Sequence, residues 1–152
     1  MPFFVLLALI AAGCVNQDDQ ESNAPSETVI LEEGPVDGMF IHLSSGYENP
    51  KRVLMALTLA NKVNETNDVT LFCDIEGVRL LTKDAKDIQM EGYMTLQAAL
   101  DSLVNAGVPI MACPMCMKAA GISKEMLRDG VAVATVEGFF NFTEGRILSL
   151  DY

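Results

Sequence analysis

Short apolar runs alternate with amphipathic stretches along residues 39–152. Met39-Phe40-Ile41-His42-Leu43 reads as a buried strand running into the polar turn Ser44-Ser45-Gly46. Asn49-Pro50 predicts a helix start: Asn accepts from free N–H groups of the first turn, and Pro lacks only a donor that position does not use. Behind it, Val53, Leu54, Leu57, Ala60 and Val63 recur at helical spacing and would cover one face of a sheet. Val69 to Cys73 is a second strand, closed by Asp74. Glu76 to Leu81 predicts a short helical turn, and the polar stretch Thr82 to Tyr93 a loop or irregular helix. Thr95 to Ala106 reads as an amphipathic helix, with Leu96, Leu100, Leu103 and Val104 on one face and Gly107 as terminator. Val108 to Ala112 is a third strand. The pattern then predicts a small helix around Lys118 to Ala120, a helical turn at Ser123 to Leu127, a strand at Val131 to Thr135, a short helix at Glu137 to Thr143 and a last strand at Arg146 to Leu150.

Strands that alternate with helices imply parallel neighbours, because parallel pairs need crossover connections. The expected fold is therefore α/β: three layers, doubly wound, with a mainly parallel five-stranded sheet in the flavodoxin-like order 2-1-3-4-5 and helices on both faces. Chemistry in such sheets gathers beyond the carboxyl ends of the strands, where the winding direction switches between strands 1 and 3. That geometry would bring together Ser44 to Gly46, Cys73-Asp74 and Cys113 to Cys116.

The region before residue 39 has a different character. Phe3 to Ala12 is an unbroken run of ten apolar residues, too short to span a bilayer as a helix but suited to the hydrophobic part of a secretory signal. It ends in Ala11-Ala12-Gly13-Cys14, which resembles the lipobox of bacterial lipoproteins. The resemblance implies a signal over residues 1–13, lipidation at Cys14, and an extracytoplasmic protein anchored to a bacterial membrane, on the periplasmic side where an outer membrane exists. The alternative is an ordinary cleaved signal with an incidental cysteine.

Residues 14–38 read as a flexible, self-repelling tether, with seven acidic residues between Val15 and Gly38 and no Lys or Arg. The formal net charge of −11 therefore overstates the acidity of the folded part: residues 39–152 hold 14 acidic and 10 basic residues, about −4. No basic concentration points to nucleic acid. Residues 39–152 amount to one domain with a single core.

Cys113-Pro-Met-Cys116 is the cluster with evident chemistry. Two cysteines at this spacing can close a disulfide, share a soft metal, or pair a nucleophile with a resolving thiol. A cysteine at the start of a helix is favoured as thiolate by unpaired N–H groups. Cys113 meets that condition if the helix begins near Pro114 or Met115, and Lys118 adds positive charge. Attack on a persulfide or disulfide would load Cys113, and Cys116 could then displace the sulfur. Asp74 is a candidate general acid or orienting group, or else a loop acid that caps its turn. Met115, with Cys113 and Cys116, offers a soft Cu(I) site as an alternative, since Met111, Met115 and Met117 interleave with the thiols. A non-catalytic interaction domain with a structural disulfide is the second alternative. Cys73 reads as an inert small hydrophobe, and His42, the one histidine, as a satisfied buried or edge residue with a catalytic base as its alternative.

Several of these features together resemble the DsrE/DsrF-like sulfur-relay proteins. They are the apolar first strand with its Ser/Gly turn and Asn-Pro helix start, Phe72-Cys73-Asp74 with Glu76-Gly77-Val78, and a cysteine ending strand 3. In the carriers that cysteine precedes a glycine by eight positions, the spacing of Cys113 and Gly121. The resemblance implies a DsrE-like fold, a persulfide on Cys113, a sulfur donor or thiol partner protein, possible sulfurtransferase activity with no resident cofactor, and assembly as a trimer or hexamer. Cys116 departs from the carrier pattern. Cys-Pro-x-Cys followed by Lys-Ala-x-Gly looks like a separate branch of the superfamily, with Ala119 and Ala120 where carriers often place basic residues.

Overall fold

The computed structural model describes residues 34–152; the expected signal, Cys14 and most of the expected tether lie outside them. Five strands form one all-parallel sheet: β1 (Gly38–Leu43), β2 (Asp68–Cys73), β3 (Ile110–Ala112), β4 (Val131–Val133) and β5 (Ile147–Asp151). Three α-helices connect them, α1 (Pro50–Val63), α2 (Leu96–Asn105) and α3 (Pro114–Ala120), with 3-10 turns at Gly77–Leu81, Lys124–Met126 and Glu137–Phe139. The α/β class and the parallel sheet are those that the alternation predicts. Among the described residues, no helix is long and apolar enough to cross a membrane.

The strand order is β4-β3-β2-β1-β5, not 2-1-3-4-5. The reason is visible in the helices. Asn61 of α1 donates to its own Leu57 carbonyl at 2.9 Å and across to the Ala99 carbonyl of α2 at 3.2 Å, so the two helices lie side by side. Their apolar stripes, including Leu54, Leu57 and Ala60 on α1 and Leu96, Leu100 and Leu103 on α2, are at most 1% exposed in one core. Right-handed crossovers that step repeatedly in one direction place their helices on one face. Steps from β1 through β4 do this, and Met117 of α3 joins the same core. The return from β4 to β5 runs the other way. It brings a 3-10 turn, not the expected helix over Glu137 to Thr143, against the second face, where Phe139 packs on Phe40 and Phe72 at 5.5 and 5.0 Å.

The caps follow the sequence. Asn49 Oδ1 accepts from the Arg52 N–H at 3.4 Å with Pro50 as first helical residue, and Thr95 Oγ1 accepts from the Ala98 N–H at 3.3 Å. The end of the expected tether is fastened to the chain before β5: the Asp37 carboxylate meets the Arg146 guanidinium at 2.6 Å, and Thr143 Oγ1 donates to the Val36 carbonyl at 2.7 Å.

Candidate functional site

The register sets Leu43, Cys73 and Ala112 side by side at the carboxyl ends of β1, β2 and β3. The three turns thus meet, as expected, but because β2 lies between β1 and β3, not at a reversal between strands 1 and 3. Backbone bonds carry the alignment beyond the strands: the Asp74 N–H donates to the Leu43 carbonyl at 3.2 Å, and the Cys113 N–H to the Cys73 carbonyl at 2.9 Å. Gly77 passes so close to the Leu43 carbonyl that no Cβ would fit, and a Cβ on Gly46 would lie 2.8 Å from that of Glu76. Glycine at both places lets the loops after β1 and β2 close on each other.

The loop after β3 is not a turn but a helix start. α3 begins at Pro114, where the helix-start condition for Cys113 requires it and earlier than the small helix expected around Lys118 to Ala120, so Cys113 is its N-cap and Cys116 lies in its first turn. Positions N-cap and N3 of a helix are side-chain neighbours. Gly121, eight residues after Cys113, ends the helix with φ +71° in the left-handed region, so the Cys-to-Gly spacing is the length of one short helix.

Cys73, Cys113 and Cys116 carry free thiols. Cys116 is half-buried, and burial pushes its thiol pKa upward; its hydrogen bond to Cys113 and the negative charge of Asp74 act the same way, while the Ile75 N–H offsets part of the effect. Ile75 holds that position at φ +42°, a conformation that costs a β-branched residue strain. Cys73 is fully buried, and burial followed by the Asp74 charge pushes its pKa far above the ordinary thiol value. It is the inert hydrophobe the sequence suggests. Cys116 also lines a cleft of about 310 Å³ with Ile75, Glu76, Arg79, Ala119 and Ala120, in whose wall Arg79 Nε meets Glu76 Oε2 at 2.8 Å.

His42 is the residue that sequence reasoning undervalued. Its ring stacks on Phe72 at 5.3 Å, and each nitrogen meets a carboxylate: Nδ1 is 2.7 Å from Asp151 Oδ1, and Nε2 is 3.0 Å from Asp74 Oδ2, with Ser44 Oγ 3.2 Å from the same nitrogen. Burial lowers its pKa, but the bonds and charges of Asp74 and Asp151 together outweigh that and raise it. Asp74 Oδ1 is buried and has no hydrogen-bond partner. The structure therefore brings Asp74, Cys113 and Cys116 together, and adds His42 and Asp151, which was not singled out. Strand alternation is the signal that could have found them, since Ile41 and Leu43 on the core side force His42 to the other. Met115 is 80% exposed on α3, facing away from the core that buries Met117. Among the described residues, no group of three or more His, Cys, Asp and Glu side chains is placed to hold a metal ion.

The sequence pattern of the DsrE/DsrF-like family matches residues 38–144. An uncharacterised protein of Methanopyrus kandleri, MK0008, is 27% identical over 110 residues, covering 72% of this chain and 88% of that protein. Among solved structures, the YchN protein of E. coli superposes with a TM-score of 0.60 at 23% identity, over 76% of this chain and 99% of that one. MTH1491 of Methanobacterium thermoautotrophicum, a protein of unknown function, does so with a TM-score of 0.52 at 18% identity, over 76% and 99%. At these identities the two structures speak for the fold.

Proposed function

This chain belongs to the DsrE/DsrF-like family, and from that premise we propose that it relays sulfur, with Cys113 as the sulfur-accepting thiol and Cys116 as its resolving partner. The observation that carries the reading is the placement of the two thiols at the N-cap and in the first turn of α3, at the end of β3, an interior strand of the sheet. The first attack is assigned to Cys113 because it caps α3, where the free N–H groups of the first turn favour a thiolate.

In the first step the Cys113 thiolate attacks the outer sulfur of a donor persulfide. The donor S–S bond breaks, its electron pair leaves with the donor thiolate, and Cys113 carries the persulfide. In the second, Cys116 loses its proton and attacks the inner sulfur of that persulfide. Hydrosulfide leaves, and a Cys113–Cys116 disulfide remains for a dithiol reductant to open. When an acceptor thiolate takes the outer sulfur instead, Cys113 returns to the thiol and no disulfide forms. The same reading takes Cys14 as a lipid anchor that holds the domain outside the cytoplasm, on the strength of the apolar run and the small residues before it.

Intact mass after incubation of the full chain with an inorganic polysulfide is the test. Wild type should gain sulfur, Cys113→Ala should gain none, and Cys116→Ala should retain the persulfide longer than wild type. No gain in wild type, or an equal gain in Cys113→Ala, overturns the reading.

A further inference from the structure

A carboxylate near a working thiol poses a problem, because a negative charge opposes the formation of another. Asp74 nonetheless follows β2 directly, close enough to act on both Cys73 and Cys116. The geometry around its other side resolves this. Asp74 Oδ2 is taken by His42 Nε2 at 3.0 Å, and the far nitrogen of that ring is held by Asp151 at 2.7 Å. The register makes the arrangement specific, since His42 pairs with Asp151 across the β1–β5 ladder and with Phe72 across the β1–β2 ladder. The ring is further fixed by its stack on Phe72. The result is a string Asp151–His42–Asp74 that runs from an exposed carboxylate, 74% accessible, inward to one that is 20% accessible and directly follows Cys73, whose carbonyl accepts the Cys113 N–H.

We propose that His42 is a positioning residue for the thiol site: held by Asp151, it pins Asp74 and offsets its charge, so that the Cys113–Cys116 pair ionises beside a neutralised carboxylate. As an imidazolium, His42 donates from both nitrogens, one to each carboxylate, and the positive ring beside Asp74 removes the repulsion a nearby thiolate would meet. As a neutral ring it donates from one nitrogen only, and Asp74 regains its full effect on Cys116. The groups that face His42 are Asp74 after β2 and Asp151 on β5; Phe72 on β2 and Ser44 after β1 contribute no charge. The groups that act with Asp74 are His42, Cys73 and Cys116. Asp74 Oδ1, buried and unpartnered, keeps one lone-pair oxygen free on the same carboxylate.

The inference rests on Cys113 and Cys116 being the working thiols of the proposed function, but not on sulfur being their cargo. Its test therefore uses no sulfur donor. The pH dependence of iodoacetamide alkylation is followed on the Cys113–Cys116 peptide by mass spectrometry, in the full chain, for wild type, His42→Gln, Asp74→Asn and the double variant. In His42→Gln alkylation at pH 6.5, where the wild-type ring holds its proton, should slow by as much as about tenfold, while the rates above pH 9, where the ring is neutral in both proteins, should agree. In Asp74→Asn the rate at pH 6.5 should rise, and the double variant should match Asp74→Asn, because without the carboxylate there is nothing left for His42 to offset. An unchanged rate at pH 6.5 in His42→Gln, or an equal loss of rate in the Asp74→Asn background, overturns the proposal. Should His42→Gln not fold, Asp151→Asn decides: it leaves the ring in place and loosens only its outer anchor, so it should give a smaller loss of rate at pH 6.5, and no loss overturns the proposal. If alkylation behaves as stated while no sulfur is gained from polysulfide, the sulfur reading fails and this one stands.

Discussion

Ile41 and Leu43 leave β1 on the side that α1 and α2 seal, whereas Phe40 and His42, their neighbours on the same strand, leave it on the side crossed only by the returning segment with Phe139. The first pair is at most 1% exposed; the second is half-buried. β2 repeats the division, with Leu71 and Cys73 on one side and Phe72 on the other. Two-residue alternation thus separates two tasks within a single strand. The sealed face supplies the hydrophobic stabilisation, and the half-open face carries an imidazole and aromatic rings to the edge of the thiol site.

The division is sharpest between two adjacent residues. Leu71→Ala empties a site with no solvent contact and should cost about 2–5 kcal/mol of unfolding free energy. Phe72→Ala removes a larger ring but one that is only partly buried, and should cost less, about 1–2 kcal/mol by the apolar area it had buried. Urea unfolding of the two variants gives both values. If Phe72→Ala proves the costlier change, the second face is sealed in solution and the comparison collapses.

A smaller effect is expected where the two regions join. Gly77 lies against the Leu43 carbonyl, at the point where the loop after β2 closes on the end of β1. A methyl group there must push the backbone away and should cost about 1–3 kcal/mol. The shift would be felt beyond stability, because Asp74 and Ile75 are in the same loop. Gly77→Ala should therefore also change the alkylation rate of Cys116, which Leu71→Ala, despite its larger loss of stability, should leave near the wild-type value under native conditions. Equal rates in the two variants would show that the loop does not set the environment of the thiol.

The sealed face was the more legible of the two in the sequence. Val53, Leu54, Leu57 and Ala60 announce α1 by their spacing, and the Asn49-Pro50 start is a local device that needs no tertiary context. Cys113 to Gly121 was legible as a spacing before its meaning was, a helix capped at one end and stopped by a left-handed glycine at the other. Strand order was not legible. Apolar runs record that a strand is buried, not which strand lies beside it, and the two orders differ only in the direction in which successive crossovers step. The half-open face suffered most from this. His42 meets Asp74 and Asp151 from 32 and 109 residues away in sequence, and only the placement of β5 next to β1 brings the second carboxylate to the ring. A lone histidine in an apolar run therefore read as a satisfied buried or edge residue, and Asp151 lay one residue beyond the expected last strand, Arg146 to Leu150.

The smallest effect separates the two faces by pH. The pKa of His42 is raised above its ordinary 6.5, since its two carboxylates outweigh the opposing effect of burial. The folded chain thus holds a proton that the unfolded chain has already released, and stability falls as pH rises from about 6.5 through the folded value. The contribution is complete below 6.5 and absent above the folded pKa. The lowered carboxylates Asp37, Asp87 and Glu125 act in the opposite sense and at acid pH, outside this window. The raised thiols Cys73 and Cys116 act in the same sense as His42 but only above their ordinary value of 9.0, so measurements between pH 6.5 and 8.5 isolate the imidazole. The slope should be shallow, because the ring is partly open to solvent and its outer partner Asp151 is largely exposed. Urea midpoints across this window should decline in wild type and stay level in His42→Gln, while Leu71→Ala should lower the whole curve and keep the wild-type slope. A level wild-type curve would mean that the string Asp151–His42–Asp74 does not hold its proton in solution; a slope that persists in His42→Gln would assign it to another group.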